Sequence, residues 1–230
     1  MSTVASRTAD ELALQLTHLL TLRALSIGDI SGVAVASVVP RLRTAMRDMT
    51  DRWLGVETVI VEPGIKTGMP ILYDNPREVG ADRIADAVAA YDLYGGPTIV
   101  VDFGTATTFE VVSAKGEYLG GVILPGIEIS LEALFARAAL LPRVELVEPR
   151  SVLAKNTVES VQSGVIYGFA AQVDGLCRRL QAEIGDRCQV IGTGGLAGLI
   201  GPVSEEIEHL EPWLTLHGLR LIFALNRRGG

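Results

Sequence analysis

The first third of the chain alternates between helical spacing of apolar residues and short continuous apolar runs. Residues 10–25 place leucines three or four positions apart, a spacing typical of a helix with one buried face. The runs 32–40 and 56–63 are rich in β-branched residues and predict buried strands, and helical spacing returns between them at 41–54. These patterns predict one β-α-β unit preceded by a helix.

The next stretch, residues 64–80, is rich in Gly, Pro, Asn and Asp but also carries the apolar residues Met69, Ile71 and Leu72. This mixture predicts an ordered loop or a ligand-facing segment and not a flexible linker. A helical pattern follows at 81–94.

From residue 98 the pattern changes to three apolar runs joined by tight turns: TIVVDFG, TTFEVVSA and YLGGVILPG. Later patterns predict helices at about 127–141 and 157–183, a strand at 188–192, and two further helices. A meander of three strands followed by alternating helix and strand indicates half of a duplicated α/β architecture.

Composition and charge narrow the classes of function. Apolar residues make up 48% of the 230 residues and charged residues 20%, which is typical of a packed globular chain. The net charge of −7 argues against a nucleic-acid-binding surface, which would carry a basic excess. The net charge does not argue against the binding of small anionic ligands, because local hydrogen-bond donors can hold a phosphate even in an acidic protein.

The two cysteines, Cys177 and Cys188, cannot build a disulfide framework and have no His or Cys neighbours at metal-ligand spacing. Cys177 falls on a helical apolar stripe, which predicts a reduced thiol in the core. The first residues show no apolar signal segment, and no apolar run approaches the ~18 residues of a membrane span. We therefore expect a soluble, cytoplasmic protein without a membrane partner.

The run VVDFGTATTFEVV interrupts two apolar stretches with a polar turn. Gly104 permits a tight turn, and backbone N–H groups together with the hydroxyls of Thr105, Thr107 and Thr108 are expected to point at one anion. Asp102, where the strand ends, suits a cation or a water beside that anion. The alternative is an ordinary hairpin with hydroxyls at its turn.

A second glycine-rich turn occurs in IGTGGLAGLI, where Gly194 and Gly195 lie between a predicted strand and a predicted helix. The pair would let the start of the helix approach a planar or phosphorylated ligand, or would simply form a tight connection. The chain contains neither G-x-G-x-x-G nor G-x-x-x-x-G-K-[ST], so a dinucleotide fold and a P-loop are not indicated.

An acid and a planar cation, Asp82 and Arg83, open the helix predicted at 81–94. Asp82 would either match the helix dipole or take a proton from a hydroxyl, while Arg83 fixes an anionic substrate. These residues and the two glycine turns together suggest phosphoryl transfer to a small hydroxyl compound, because such chemistry depends on positioning and charge stabilisation.

A further helix start is predicted in KNTVESVQSG, where Asn156 and Glu159 fit a capping box. Thr157, in the first turn, would then expose a hydroxyl at the positive end of that helix.

Five stretches, taken in order along the chain, resemble type III pantothenate kinases of the acetate and sugar kinase/actin superfamily: VGADR, DFGTATT, GEYLGGVILPG, KNTVESVQSG and GTGG. The resemblance implies an α/β fold of duplicated ribonuclease-H-like domains, with mixed sheets and helices on both faces. It also implies transfer of the ATP γ-phosphoryl group to the primary hydroxyl of pantothenate, the first committed step of coenzyme A biosynthesis.

The resemblance also implies a role for individual residues. Asp82 would be the general base, and Asp102 would bind a monovalent cation, potassium or ammonium. Thr105 would contact ATP, which the family uses with Mg²⁺, beside the glycines Gly104, Gly194 and Gly195. The pantothenate site would be lined by Tyr73, Gly80, Ala81, Asp82, Arg83 and Thr157. The family works as a homodimer.

Family members open with a strand that carries Asp-x-Gly-Asn-Thr, and no such stretch occurs in this sequence. We therefore expect a truncated first domain, residues 1–96, that lacks a hairpin of roughly 25 residues, and a second domain, residues 97–230, that carries the phosphate and adenosine turns. Three explanations stay open: a natural start further upstream, a non-catalytic chain, or completion by another subunit. The retained Asp82, Asp102 and Thr157 favour the first.

Two other functions stay open beside a pantothenate kinase. A non-catalytic relative could bind nucleotide or pantothenate and regulate another process, and the missing first phosphate turn favours it. Another enzyme of the superfamily, such as a sugar kinase or a polyphosphatase, would usually bring a longer chain and a different acidic motif. A filament-forming actin relative would need much more chain.

Overall fold

A computed structural model of the protein describes residues 4, 6–138 and 140–227. Its helices are α1 (Ala9–Thr21), α2 (Pro40–Met49), α3 (Ala81–Tyr94), α4 (Ile127–Arg137), α5 (Thr157–Ile184), α6 (Ala197–Ile200) and α7 (Leu214–Asn226). Its strands are β1 (Gly32–Val35), β2 (Glu57–Ile60), β3 (Thr98–Phe103), β4 (Ala106–Val112), β5 (Tyr118–Pro125), β6 (Gln189–Thr193) and β7 (His209–Leu210).

The chain divides into two compact units. Unit 1 comprises residues 1–69, 74–88 and 215–230, and unit 2 comprises residues 70–73 and 89–214. This division differs from the predicted boundary at 96/97 in three respects: the C-terminal helix belongs mainly to unit 1, and the short segment 70–73 and residues 89–96 belong to unit 2.

Unit 1 contains the β-α-β unit that the sequence predicts. Strands β1 and β2 pair in parallel, with Gly32 opposite Glu57, and α2 connects them. Leu12 of α1 packs against Met49 of α2, and both side chains are buried. The helix predicted at 41–54 is present as α2 followed by a π-helical turn, and it ends at Gly55, whose φ of +62° is favourable for glycine.

Unit 2 is built on a mixed five-stranded sheet in the order β5-β4-β3-β6-β7. β3 pairs antiparallel with β4 and parallel with β6, so it lies in the middle of the sheet. Alternate residues of β3 face opposite sides. Val101 packs in a core with Ile166 of α5, and Val100 packs on the other face with Ala90 of α3. Helices therefore cover both faces, and the α/β class with mixed sheets is confirmed.

The predicted elements are largely present, with local differences. α4 ends at Arg137 although helical spacing continues in the sequence to about 141, and β7 was missed because its two residues are too few for an alternating pattern. The expected core thiol is confirmed: Cys177 is free and buried. Cys188 is also free and buried, and burial raises the pKa of its thiol to about 11. Among the described residues, no helix is both long and apolar enough to cross a membrane.

Candidate active site

The two glycine turns of unit 2 meet at the carboxylate of Asp102. A Cβ added to Gly194 would lie 2.3 Å from Asp102 Oδ1, and a Cβ added to Gly104 would lie 3.5 Å from Oδ2. The sheet register explains this convergence, because Asp102 on β3 is the parallel partner of Thr193, the last residue of β6. We call the group formed by Asp102, Gly104, Thr105, Gly194 and Gly195 the Asp102 cradle.

Gly194 is the member of the cradle that tolerates no side chain. Its φ is +89°, a backbone conformation that other residues rarely adopt. A Cβ would also lie 2.7 Å from the backbone nitrogen of Phe103. Gly195, by contrast, is exposed and its Cβ would meet open space, so a ligand can approach the backbone there.

The start of α4 lies directly against the first turn, a feature that sequence reasoning missed. Gly126 is the N-cap of α4, and a Cβ there would lie 2.2 Å from the carbonyl oxygen of Thr105 and 2.7 Å from that of Gly104. The LPG sequence at the end of β5 was the available signal for a close approach. The positive end of α4 therefore belongs to the surroundings of the cradle.

The structure corrects the expectation that three threonine hydroxyls point at one anion. Thr108 is the register partner of Asp102 and shares its face of the sheet. Thr107 lies on the opposite face, where it is fully buried and its Oγ1 has no hydrogen-bond partner. Successive residues of a strand point to opposite faces, so the run Thr107-Thr108 cannot present both hydroxyls to one ligand. Thr105, in the turn itself, is exposed.

A hydrogen-bonded group of side chains supports the second turn from the β7 edge. Thr193 Oγ1 donates to the carbonyl oxygen of Glu211 at 2.7 Å, and the backbone N–H of Glu211 donates to the carbonyl of Gly192 at 2.9 Å. The hydroxyl of Tyr94 donates to the Glu211 carboxylate at 2.6 Å, and its ring stacks on His209. Burial, followed by the bond to Glu211, raises the pKa of Tyr94 to about 12.

The acid–arginine pair opens α3 in unit 1, as the sequence predicts. The backbone N–H of Arg83 donates to Asp82 Oδ1 at 2.9 Å, which holds the carboxylate at the first turn of the helix. A Cβ on Gly80 would lie 2.5 Å from the same oxygen, so glycine leaves the space that the carboxylate fills. Asp82 is half-buried, and the side chain of Arg83 is largely buried.

Tyr73 is held in unit 2 by pairing of its segment with β5. The N–H of Leu72 donates to the carbonyl of Tyr118 at 2.8 Å, and the N–H of Tyr118 donates to the carbonyl of Pro70 at 2.9 Å. The Tyr73 ring contacts the Tyr118 ring, with centroids 6.3 Å apart, and lies beside Gly120. The expectation of an ordered segment is confirmed at this point.

Thr157 occupies the first position of α5 in unit 2, and it is exposed. Asn156 Oδ1 accepts a hydrogen bond from the backbone N–H of Glu159, and Asn156 Nδ2 donates to the Glu159 carboxylate, both at 2.9 Å. The cap is therefore confirmed, although the reciprocal bond runs between the two side chains and not to the backbone of Asn156. Because Asn156 performs the capping, the hydroxyl of Thr157 is available at the positive end of the helix.

A cavity of about 790 Å³ also occurs in unit 2, beside the C-terminal half of α5. Both arginines that line it form ion pairs: Arg178 contacts Glu205 and Glu206, and Arg187 lies 3.2 Å from Glu208, which is outside the lining. These ion pairs satisfy the groups that would otherwise recognise a ligand, so the Asp102 cradle is the better candidate for chemistry.

The sequence predictions thus fall into sets that the structure places on different elements. Unit 2 brings the residues of the Asp102 cradle together. It also carries Tyr73, in the segment that pairs with β5, and Thr157, at the start of α5. Unit 1 carries Gly80, Ala81, Asp82 and Arg83 as one contiguous stretch at the start of α3.

Comparison with known proteins identifies the family. Residues 1–179 match the family described as type III pantothenate kinase. The chain belongs to this family. The type III pantothenate kinase of Moorella thermoacetica is 56% identical over 220 residues, which cover 96% of this chain and 87% of the relative. The type III pantothenate kinases of Streptomyces avermitilis and Myxococcus xanthus are 56% and 50% identical, over 98% of this chain and 88% of each relative.

A solved structure shows the same fold at lower similarity. It is a protein from Campylobacter jejuni described as a conserved transcriptional activator of the Baf family, with a TM-score of 0.57 and 20% identity. The match covers 81% of this chain and 79% of that one. At this identity the likeness concerns the fold alone, whereas the similarity to type III pantothenate kinases extends over nearly the whole chain.

Proposed function

We propose that this chain transfers the γ-phosphoryl group of ATP to the primary hydroxyl of pantothenate, the first committed step of coenzyme A biosynthesis. Membership of the type III pantothenate kinase family supports the reaction, and the relatives named for it are 50–56% identical. The structural observation that carries the proposal is the convergence of two glycine turns on the carboxylate of Asp102.

The Asp102 cradle is the proposed site of the ATP phosphates. Gly104 and Gly194 keep side chains out of the space around the carboxylate, and Gly195 leaves its backbone open to a ligand. Thr105 adds an exposed hydroxyl, and α4 begins directly behind the turn with its positive end. Phosphoryl transfer depends mainly on such positioning and charge stabilisation, and ATP would enter with Mg²⁺.

Pantothenate binding is proposed for the stretch from Gly80 to Arg83 in unit 1, and separately for Tyr73 and Thr157 in unit 2. Asp82 would take the proton of the pantothenate hydroxyl, and Arg83 would bind the pantothenate carboxylate through its guanidinium group. In a loose transition state the proton leaves late, so the orientation of the base matters more than its basicity. The bond from the Arg83 N–H to Asp82 Oδ1 supplies that orientation.

A monovalent cation, potassium or ammonium, is proposed to bind at Asp102. The donor set fits a hard cation, because Asp102 shares its face of the sheet with the hydroxyl-bearing partners Thr108 and Thr193, and no sulfur or imidazole group belongs to the cradle. When bound, the cation offsets the negative charge of the phosphates. Asp102 would hold it at the end of β3, and the flanking glycines would keep the space open.

A homodimer located in the cytoplasm is also proposed. Apolar side chains stay exposed on the edge strand β5 of unit 2, among them Leu119 and Ile123, which is typical of a surface that contacts another protein. Light scattering behind size-exclusion chromatography would give the mass, and a value matching one chain would contradict the dimer.

The acceptor specificity is tested by product identification. The purified chain is incubated with ATP, Mg²⁺ and potassium, and with either pantothenate or glucose. Mass spectrometry should detect 4′-phosphopantothenate and no phosphorylated sugar. ATP consumption that is independent of pantothenate, or faster phosphorylation of the sugar, would contradict the proposed substrate.

A further inference from the structure

The residue directly opposite Asp102 in the sheet is Thr108. The register of β3 and β4 pairs the two residues, and partners of an antiparallel pair project from the same face with Cβ atoms about 4.5–5.5 Å apart. Thr108 is half-buried at this position. Its hydroxyl is therefore close enough to share a ligand with the carboxylate of Asp102.

Thr193, on the other side of Asp102, completes a row of three oxygen-bearing side chains across β4, β3 and β6. The hydroxyl of Thr193 donates its hydrogen to the carbonyl of Glu211 at 2.7 Å, and the side chain is almost fully buried. Thr193 is thus fixed as part of the wall, whereas Thr108 lies on the half-exposed side of the row.

We propose that Thr108 supplies its hydroxyl oxygen beside Asp102 and thereby sets the affinity of the site for a monovalent cation. The proposal rests on the proposed cation site at Asp102. A hydroxyl oxygen is a suitable ligand for a hard cation, and a neutral ligand adds coordination without further negative charge next to the phosphates. Thr108 thus contributes a neutral ligand that determines the affinity, and Asp102 remains the charged ligand.

The neighbouring residue Thr107 offers a matched control in the same strand. It has the same side chain, but it faces the opposite side of the sheet and is fully buried. Thr107→Val and Thr108→Val each replace one threonine hydroxyl of β4 with a methyl group. An effect that comes only from the changed stability of the strand should therefore appear in both variants. Thr108→Ser restores the oxygen without the methyl group.

The binding test is the thermal unfolding of the purified chain during a titration with potassium chloride. Choline chloride keeps the ionic strength constant, and a saturating non-hydrolysable ATP analogue with Mg²⁺ is present throughout. Binding to the folded state raises the Tm of the wild-type chain by mass action. Thr108→Val should need about tenfold more potassium for the same rise, as expected for the loss of one ligand oxygen. Thr108→Ser and Thr107→Val should follow the wild type.

A kinetic titration adds a second readout. Thr108→Val should raise the potassium concentration for half-maximal activation by about the same factor, while the KM for pantothenate stays at its wild-type value. If Thr108→Val and Thr107→Val titrate alike, the proposal is overturned. If only Asp102→Asn abolishes the potassium response, the cation site stands and the role of Thr108 is wrong. A wild-type Tm that does not respond to potassium would overturn both.

Discussion

The carboxylate of Asp102 occupies the space into which a side chain on Gly194 would extend. A Cβ on Gly194 would lie 2.3 Å from Asp102 Oδ1, although the two residues belong to different strands of the sheet. The absence of a side chain at one turn therefore determines where the acidic group of the other turn can lie. This relationship joins two sequence motifs, each weak alone, into one candidate phosphate site.

Gly194→Ala should damage both the fold and the site. The new methyl group would collide with Asp102 and with the backbone of Phe103, and the φ of +89° is unfavourable for alanine. We expect the free energy of unfolding to fall by about 2 kcal/mol or more, measured by urea denaturation.

Gly198→Ala is the matched control, because Gly198 lies four residues later in α6 with nothing near its Cβ position. Alanine is the better helix former, so this variant should keep or raise the free energy of unfolding. Equal destabilisation in both variants would contradict the close contact between Gly194 and Asp102.

Thr107→Val should stabilise the protein. The Thr107 hydroxyl is fully buried without a hydrogen-bond partner, and a methyl group in its place removes the cost of burying that hydroxyl. We expect the free energy of unfolding to rise by about 1 kcal/mol. Thr108→Val, at a half-exposed position, should give a smaller gain, and an equal gain in urea denaturation would argue against the different burial of the two hydroxyls.

Asp82→Asn should lower kcat by about a hundredfold or more and leave the KM for ATP near its wild-type value, as expected for the loss of a general base. The amide keeps the size of the side chain, so the fold should persist. Asp51→Asn, which neutralises an exposed carboxylate elsewhere in unit 1, is the control and should leave turnover unchanged. Wild-type turnover in Asp82→Asn would remove this residue as the base.

Gly80→Ala probes the placement of the same carboxylate without changing its charge. The added methyl group would lie 2.5 Å from Asp82 Oδ1, so the carboxylate has to turn away from the position fixed by the Arg83 N–H. We expect a lower kcat than in the wild type, with a smaller loss than in Asp82→Asn. A kcat equal to that of the wild type in steady-state assays would show that this orientation does not matter.

Tyr94→Phe should change the alkaline stability of the protein. The pKa of Tyr94 is raised from 10.0 to about 12 in the folded chain, so its contribution to stability is fully present below pH 10 and is lost as the pH rises towards 12. The difference in unfolding free energy between wild type and Tyr94→Phe should therefore shrink between pH 10 and 12. Urea denaturation across this window measures it, and a constant difference would contradict the raised pKa.

Periodicity predicted most of the fold because the long elements carry clear apolar patterns. The stretch 81–94 appears as α3 with the same bounds, and the three strands from residue 98 form three of the five strands of the mixed sheet. The two-residue strand β7 and the early end of α4 carry no comparable signal. The assignment of α7 mainly to unit 1 depends on tertiary packing, which local spacing does not encode.

The sequence predicted the residues of the candidate site that lie in recognisable turns. It did not predict the contacts that depend on the register between strands. Asp102, Gly104 and Gly194 were named from their turns, but their convergence required the pairing of β3 with β6. The grouping of Thr107 with Thr108 was wrong because a strand alternates its faces. The bond from Tyr94 to Glu211 joins residues 117 positions apart, and nothing in the local sequence marks it.

The most direct test of the account is the initial rate of ATP-dependent phosphorylation of pantothenate, measured with potassium and with sodium as the only monovalent cation. Wild type and Asp82→Asn are assayed side by side with Mg²⁺. The account predicts turnover by the wild type that depends on potassium, and a rate lower by about a hundredfold or more in Asp82→Asn. A folded wild-type chain that forms no phosphopantothenate in either salt would contradict the proposed function.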